Sequence, residues 1–224
     1  MEKRWKGAQT IMKPEMDYTL YLVTDRGMAG ERNFEELVAQ AVRGGCTLVQ
    51  LREKEASSGE LYERALRLKE VTDFYHVPLI IDDRIDIMLA VDAAGVHLGQ
   101  SDLPAEAARQ LIGPDKILGV SAQTVEEAEK AEKAESDGAD YLGVGAVFPT
   151  ATKTNTVPVS KETLSAICQT VRIPVVAIGG INARNMPALE GTGISGAAVV
   201  SAIMAQPKPE EAARRLKEVI YGIL

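Results

Sequence analysis

The feature that most constrains this chain is an alternation of short apolar runs with longer amphipathic stretches, repeated eight times. Most of the runs are apolar at nearly every position rather than at every second one, and they are rich in Val, Ile and Leu. Strands that are covered on both faces have this continuous pattern, so the runs predict buried strands. They occupy residues 18–24, 47–52, 78–82, 95–99, 116–121, 141–147, 174–179 and 196–201.

The stretches between the runs have the spacing and the end signals of helices. Phe34 and Leu37 begin an apolar stripe that stops at a pair of glycines. Ser57 or Ser58 is expected to cap the helix after the second run, and Ser160 the helix after the sixth. Amphipathic helices therefore separate the predicted strands.

A strand followed by a helix, repeated eight times within 224 residues, predicts a single (β/α)8 TIM barrel. The alternative is a doubly wound open sheet, but the even spacing of the runs and the lack of an early GxGxxG favour the barrel. No linker-like tract interrupts the chain, so residues 1–224 are predicted to form one domain. Residues 1–17 are expected to form a short N-terminal arm or helix.

Charge and composition exclude several classes of function. The formal charge is −7, and contacts with nucleic-acid phosphates need clustered Lys and Arg, so no nucleic-acid partner is expected. No apolar run approaches the ~18 residues of a membrane span, and the N-terminal segment lacks the apolar core of a secretory signal. We therefore expect a cytoplasmic protein with no membrane partner. The oligomeric state stays open, with a homo-oligomer among the alternatives.

The two cysteines, Cys46 and Cys168, lie far apart in the chain and lack a CxxC spacing. That spacing argues against a disulfide framework and against a zinc site. We expect both to be structural thiols, because free cysteine is often buried.

The second predicted strand ends in the polar sequence QLREK. In a TIM barrel the active site lies at the C-terminal ends of the strands. Gln50, Arg52 and Lys54 alternate, so they can share one face of the strand. Arg offers a planar fork and Lys a point charge, which suits a phosphate or diphosphate. The alternative is a solvated salt-bridge surface, but Gln50 argues against it.

The third and fourth predicted strands end in carboxylates, within IIDDR and HLGQSD. Asp82, Asp83 and Asp102 would repel one another unless a cation lay between them. Mg²⁺ prefers such hard oxygen ligands and often shares them with substrate phosphates. The alternative is helix capping by each aspartate. Carboxylates at the ends of both the third and the fourth strands, beside a basic second strand, favour a metal–diphosphate site. Asp83 and Asp102 would be the metal ligands.

Two further polar residues lie in the strand runs. His97 stands between Val96 and Leu98, a position more typical of a barrel interior than of a catalytic base. Ser121 ends the fifth run and can hydrogen-bond a ligand. No Ser–His–Asp set is evident, so Ser121 is not expected to act as a nucleophile.

A second anion site is predicted after the seventh and eighth runs, at Gly179–Gly180 and Val200–Ser201. Loops at this point commonly bind phosphate in TIM barrels, and glycines allow close approach of backbone N–H groups. The threonine-rich loop VFPTATKTNT, residues 147–156, follows the sixth run and can close over the space between. Two phosphorylated substrates, or one bisphosphorylated molecule, are indicated.

Taken in order, the motifs resemble those of the thiamine phosphate synthase family. The similarity covers about residues 18–205 and rests on LYLVTD, VQLREK, IIDDR, GVHLGQSDLP, GVSAQT, DYLGVGAVFPTATK, VVAIGGI and AVVSAI. The resemblance implies a Mg²⁺-dependent transferase that joins two small molecules. These are 4-amino-5-hydroxymethyl-2-methylpyrimidine diphosphate and 4-methyl-5-(2-hydroxyethyl)thiazole phosphate, and the products are thiamine phosphate and diphosphate.

The resemblance also implies roles for individual residues. The substrate contacts would be Gln50, Leu51, Arg52, Glu53, Lys54, Asp82, Ser121, Thr150, Ala151, Thr152, Lys153, Gly179, Gly180, Val200 and Ser201. The catalytic residues among them would be Arg52, Lys54, Ser121 and Lys153. Mg²⁺ would be held by Asp83 and Asp102. The family is thought to react through a pyrimidine carbocation, so no protein nucleophile is needed.

Two positions depart from the family pattern. Asp82 stands where Asn is usual, and a carboxylate can accept a hydrogen bond from the pyrimidine amine but cannot donate one. Gln123 stands where many members have His. A related thiazole phosphate tautomerase is the nearest alternative function, and a histidine in that loop would favour it. A barrel that binds phosphorylated ligands without catalysis is the other.

Overall fold

The computed structural model describes residues 16–132, 138–150 and 158–224. Its centre is a closed barrel of eight parallel strands in chain order, in which the last strand pairs with the first. The strands are β1 (Leu20–Val23), β2 (Leu48–Leu51), β3 (Leu79–Asp82), β4 (Gly95–Leu98), β5 (Ile117–Ala122), β6 (Tyr141–Val144), β7 (Val175–Ile178) and β8 (Gly196–Val199). The TIM-barrel prediction is confirmed. The predicted arm over residues 1–17 lies outside the described residues, apart from its last two.

Helices follow the strands, and several begin at the capping residues expected from the sequence. Ser57 and Glu60 form a reciprocal capping box, and Ser160 accepts a hydrogen bond from Thr163 N. The helices are α1 (Arg26–Ala29), α2 (Phe34–Arg43), α3 (Ser58–Phe74), α4 (Ile85–Ala90), α5 (Ala105–Ile112), α6 (Val125–Glu132), α7 (Lys161–Thr170), α8 (Ser201–Met204) and α9 (Pro209–Tyr221). A 3-10 helix, Met186–Leu189, precedes β8. The sequence did not indicate the two single-turn helices, α1 and α8, because four residues are too short for a periodic pattern.

Two apolar layers hold the barrel together. The larger lies between the strands and the helices and is almost wholly aliphatic. The smaller fills the barrel interior and contains Tyr18, Tyr21 and Tyr141 among aliphatic side chains. The described helices include none that is both long and apolar enough to cross a membrane.

Strand β6 is shorter than the sequence predicted, because it ends at Val144 rather than at Val147. Beyond that point the chain turns against the end of β7, where Val147 N donates to Ile178 O at 3.0 Å and Phe148 N to Gly179 O at 3.1 Å. The start of the threonine-rich loop is therefore tied to the turn that follows β7.

A buried ion pair joins the N-terminal ends of β5 and β6. Arg109 is 4% exposed, and its guanidinium lies 2.7 Å from the carboxylate of Asp140. The same guanidinium donates to the backbone oxygens of Gly113, Lys116 and Gly138. These contacts connect the loop between α5 and β5 to the loop between α6 and β6, at the end of the barrel opposite the candidate site.

Candidate active site

A cavity of about 530 Å³ opens at the C-terminal ends of the strands. This is the end at which TIM barrels carry their active sites. The sequence-predicted residues that line it are Gln50, Arg52, Lys54, Asp82, Asp83, Asp102, Ser121, Thr150, Gly179, Gly180, Val200 and Ser201. Ala151, Thr152 and Lys153, which were also predicted, lie outside the described residues.

Two predicted contact residues, Leu51 and Glu53, do not line this cavity. Leu51 is fully buried in the layer between strands and helices, because successive side chains of a strand point to opposite faces. Glu53 pairs instead with Arg26 and Arg64, each at 2.8 Å. The Leu51 and Glu53 side chains therefore lie away from this cavity, and a substrate contact from either residue stays a prediction.

Basic residues from β2 meet carboxylates from β3 on one wall of the cavity. Lys54 Nζ lies 2.8 Å from Asp82 Oδ2 and also contacts Asp83 Oδ2. Arg52 Nε is more distant, at 3.9 Å from Asp82 Oδ2. Burial lowers the pKa of Lys54, but the two aspartates outweigh it, so the net pKa is raised. Lys54 therefore stays protonated at neutral pH.

The aspartates of this wall are held in unfavourable surroundings. The Asp82 side chain is 10% exposed, and burial followed by the charge of Asp83 raises its pKa, despite Lys54 and Arg52. Lys54 Nζ forms an ion pair with Asp82 Oδ2 at 2.8 Å, which partly offsets the effect of burial on that pKa. Burial also raises the pKa of Asp102, and Asp83 raises it further.

Helix capping does not account for these aspartates. The residues that precede α4 and α5 are Arg84 and Pro104, and neither helix has a side-chain cap in the described structure. Asp102 Oδ2 instead accepts a hydrogen bond from Gly99 N at 2.7 Å, within the loop after β4. The capping alternative is therefore wrong here.

The donor set fits a Mg²⁺ ion that is shared with substrate. The charge of Asp83 helps to raise the pKa of Asp102, and a divalent cation beside both carboxylates would oppose that effect. Within the described part of the chain, no group of three or more His, Cys, Asp or Glu side chains could hold a metal by itself. The remaining ligands would come from water and substrate phosphate, as is usual for Mg²⁺.

The opposite wall of the cavity is built by the turn after β7 and the start of α8. Gly179 and Gly180 have φ of 105° and 63°, a region that favours glycine. A Cβ at Gly180 would lie 2.3 Å from Pro149 O, so a larger residue would displace the threonine-rich loop. Asn185 Nδ2 donates to Gly180 O at 2.9 Å, which ties the turn to the following segment.

Beneath the cavity a chain of hydrogen bonds crosses the barrel interior. It runs from Gln50 through Tyr21, Tyr141 and His97 to Ser121, with four contacts of 2.8, 2.9, 3.0 and 3.0 Å. His97 therefore lies in the barrel interior, as the sequence indicated, yet it also touches a residue of the predicted site.

The family-model comparison matches residues 20–203 to thiamine monophosphate synthase. The chain belongs to the thiamine monophosphate synthase family. The matched segment contains all eight strands, including every cavity residue named above. The family identified from the sequence motifs is thus confirmed.

Individual relatives support the same assignment over nearly the full chain. The thiamine-phosphate synthase of Ruminiclostridium cellulolyticum is 59% identical over 94% of this chain and 99% of that protein. That of Clostridium beijerinckii is 54% identical over 95% and 100%. The solved structure of thiamine phosphate pyrophosphorylase from Pyrococcus furiosus has a TM-score of 0.83 at 41% identity, covering 93% of this chain and 98% of that one.

Sequence reasoning missed several residues of the cavity. Tyr21 and Tyr141 line it from within apolar runs, and Gln100 and Glu127 line it from a loop and a helix start. Tyr141 had a usable signal, because it places the one hydroxyl in the run YLGVGAV, whereas the run of Tyr21 contains other hydroxyls. Gln100 and Glu127 had none, since polar side chains are ordinary in loops and at helix starts.

Proposed function

We propose that this barrel condenses the pyrimidine diphosphate with the thiazole phosphate to give thiamine phosphate and diphosphate. The observation that carries the proposal is one cavity with two different walls. One wall has Arg52 and Lys54 beside Asp83 and Asp102, and the other has the glycine turn after β7. Such an arrangement suits one substrate with a diphosphate and a metal, and another with a single phosphate. The family membership supports the same reaction.

Arg52, Lys54 and Ser121 would bind the pyrimidine diphosphate, together with Lys153. Loss of diphosphate breaks a carbon–oxygen bond and leaves negative charge on the departing oxygen. Arg52 and Lys54 lie on the same wall, so their charges are placed to stabilise that oxygen as the bond breaks. Asp82 holds Lys54 on this wall, since its carboxylate lies 2.8 Å from Lys54 Nζ.

Asp83 and Asp102 would hold Mg²⁺, which supplies charge stabilisation to the diphosphate when bound. Lys54 contacts Asp83 in this structure, so a metal ion and the Lys54 ammonium compete for one carboxylate. A diphosphate offers Lys54 an alternative partner. We therefore expect metal and diphosphate to bind more tightly together than either does alone.

The thiazole phosphate would bind at the glycine turn and at Val200–Ser201, with Thr150 and Thr152 from the threonine-rich loop. This wall faces the diphosphate wall across the same cavity. Holding the thiazole nitrogen against the pyrimidine methylene carbon gives a large proximity advantage. The carbon–oxygen bond would break first, and the electron pair of the thiazole nitrogen would then form the new bond to the pyrimidine methylene carbocation, so no side chain needs to act as a nucleophile.

The decisive experiment mixes both substrates with Mg²⁺ and measures thiamine phosphate and diphosphate by chromatography. We expect equal amounts of both products, and none after a chelator is added. Arg52→Met should lower the rate about 100-fold or more, whereas Arg67→Met, on the outer face of α3, should not. Well-folded protein that forms no thiamine phosphate would refute the proposal.

The same assay separates the alternative functions. A tautomerase would isomerise the thiazole phosphate alone and would leave the pyrimidine diphosphate unused. A barrel that only binds its ligands would retain both substrates unchanged. Cytoplasmic location, oligomeric state and the lack of a nucleic-acid partner stay predictions from sequence.

A further inference from the structure

The hydrogen-bonded chain beneath the cavity is long for a barrel interior made mostly of aliphatic side chains. Gln50 Nε2 donates to Tyr21 Oη at 2.8 Å, and Tyr21 Oη lies 2.9 Å from Tyr141 Oη. His97 then bridges Tyr141 Oη and Ser121 Oγ, at 3.0 Å each. Both ends of the chain are residues proposed above for the site, whereas the three residues between them have no part in that proposal.

Two glycines, Gly119 and Gly143, leave room for the side chains of this hydrogen-bonded chain. A Cβ on Gly119 would lie 2.4 Å from Tyr141 Oη and 2.5 Å from His97 Nδ1. A Cβ on Gly143 would lie 3.0 Å from His97 Cε1. Both glycines are in the middle of strands, where glycine weakens the sheet unless something needs the space. The tyrosine and the histidine occupy that space.

The donors and acceptors of the chain can follow one direction throughout. Burial raises the pKa of Tyr21 and of Tyr141, so both remain phenols with one proton to donate. With the Gln50 amide donating to Tyr21, one consistent arrangement sends the Tyr21 proton to Tyr141 and the Tyr141 proton to His97 Nδ1. His97 then carries its proton on Nε2 and donates to Ser121.

This direction of hydrogen bonding decides which groups Ser121 and Gln50, at the two ends of the chain, offer to a ligand in the cavity. Ser121 accepts from His97, which leaves its own O–H as a donor toward a ligand. Gln50 uses its amino group on Tyr21, which leaves its amide oxygen as an acceptor. One donor and one acceptor on the same cavity match an aminopyrimidine, whose amine donates and whose ring nitrogens accept.

We propose that Tyr141 is a positioning residue that orients Ser121 through His97, and Gln50 through Tyr21, for recognition of the pyrimidine substrate. This inference rests on the proposed function, because it assumes that Gln50 and Ser121 face the pyrimidine diphosphate. Tyr141 itself touches neither the reacting atoms nor the phosphates in this account. Its hydroxyl is the one group that both arms of the chain share.

The test compares two Tyr→Phe variants that each remove one hydroxyl from adjacent rings. Tyr141→Phe cuts both arms of the chain, whereas Tyr18→Phe is the matched control. The Tyr18 ring packs against Tyr141 at 4.9 Å between centroids, but its hydroxyl is not a member of the chain. Isothermal titration with the pyrimidine diphosphate alone, and with the thiazole phosphate alone, measures each affinity separately.

We expect Tyr141→Phe to weaken pyrimidine diphosphate binding about 10-fold, as the loss of buried hydrogen bonds predicts. Thiazole phosphate binding should be unchanged in this variant, and Tyr18→Phe should bind both substrates as the parent chain does. If both substrates weaken together, or if the two variants behave alike, Tyr141 is merely structural and the inference is wrong.

A double-mutant cycle with Ser121→Ala tests the route of the effect. If Tyr141 acts in part through Ser121, Tyr141→Phe should lose at least about threefold of its effect in the Ser121→Ala background. Additive losses would refute that route. Should Tyr141→Phe fail to fold, Tyr21→Phe provides the test, since it cuts the Gln50 arm alone and should weaken only pyrimidine binding.

Activity of the parent chain separates this inference from the proposed function. If the parent makes no thiamine phosphate, the proposed function fails and this inference fails with it. If the parent is active and Tyr141→Phe binds the pyrimidine diphosphate normally, only the positioning role of Tyr141 is refuted.

Discussion

At each end of the barrel a basic side chain pairs with aspartate, but the two pairs differ in how deeply the basic group is buried and in how many hydrogen bonds it makes. At the N-terminal end, Arg109 is buried and gives its hydrogen bonds to Asp140 and to three backbone oxygens. At the C-terminal end, Lys54 is 44% exposed and faces Asp82 and Asp83.

The difference lies in how completely each group is satisfied. Asp140 Oδ2 also accepts from Leu118 N at 2.7 Å, and among the described residues only Arg109 Nε lacks a partner within that network. The carboxylates beside Lys54 outnumber it, and the pKa of Asp82 is raised. The hydrogen-bonded contacts of Arg109 stabilise the fold, whereas the partly exposed charge of Lys54 remains able to bind a ligand.

The largest expected effect is on stability at the N-terminal end. Arg109→Met should lower the free energy of unfolding by about 3–5 kcal/mol, because it leaves Asp140 partly buried without its partner. Urea denaturation followed by circular dichroism measures the change. Arg67→Met removes a more exposed pair with Glu35 and should cost about 1 kcal/mol or less. Equal losses in the two variants would contradict the contrast.

The next effect is on catalysis at the C-terminal end. Lys54→Met should lower kcat/KM for the pyrimidine diphosphate about 100-fold or more, because it removes charge from the departing diphosphate. Its unfolding free energy should change less than that of Arg109→Met, since the Lys54 side chain is 44% exposed and Arg52 remains 3.9 Å from Asp82. A variant that loses stability and keeps its activity would place Lys54 with Arg109 as a structural cation.

A smaller effect should come from Asp82→Asn, measured with a chelator present. The net pKa of Asp82 is raised, so its ionised form disfavours folding at pH 7, and Asn removes that cost. Thermal unfolding should then occur at slightly higher temperature in the variant at pH 7. The advantage should shrink as pH falls through the raised pKa and vanish below the ordinary value of 3.8, where Asp82 is protonated in both states. An advantage that grows toward acid pH would contradict this sign.

The smallest effect concerns the two thiols, which lie in neither network. Burial raises the pKa of Cys168 to about 11, and it raises the pKa of fully buried Cys46 as well. Neither should be alkylated appreciably by iodoacetamide at pH 8, and activity should survive the treatment. Both should react once urea unfolds the chain. Rapid labelling of the native protein at pH 8 would show that a thiol is reactive after all.

Much of the fold could be predicted because its signals are local. The continuous apolar runs, the serine caps at Ser57 and Ser160, and the polar residues that end β2, β3 and β4 are all readable along the chain. In a barrel, strand ends converge on one face, so the cavity residues followed once the strands were placed. Glu53 was expected in the site from the family resemblance and not from alternation, and its side chain lies away from the cavity, as that of Leu51 does.

The sequence by itself determined the barrel, the face that carries the site, and the family. Only the tertiary structure decided which polar groups meet. Tyr21 and Tyr141 are 120 residues apart in the chain, yet their hydroxyls are 2.9 Å apart across the barrel. The pairing of β2 with β3 likewise brings Lys54 to Asp82. Periodicity records which face a side chain occupies, but hydrogen bonds and ion pairs depend on distances that only the closed barrel sets.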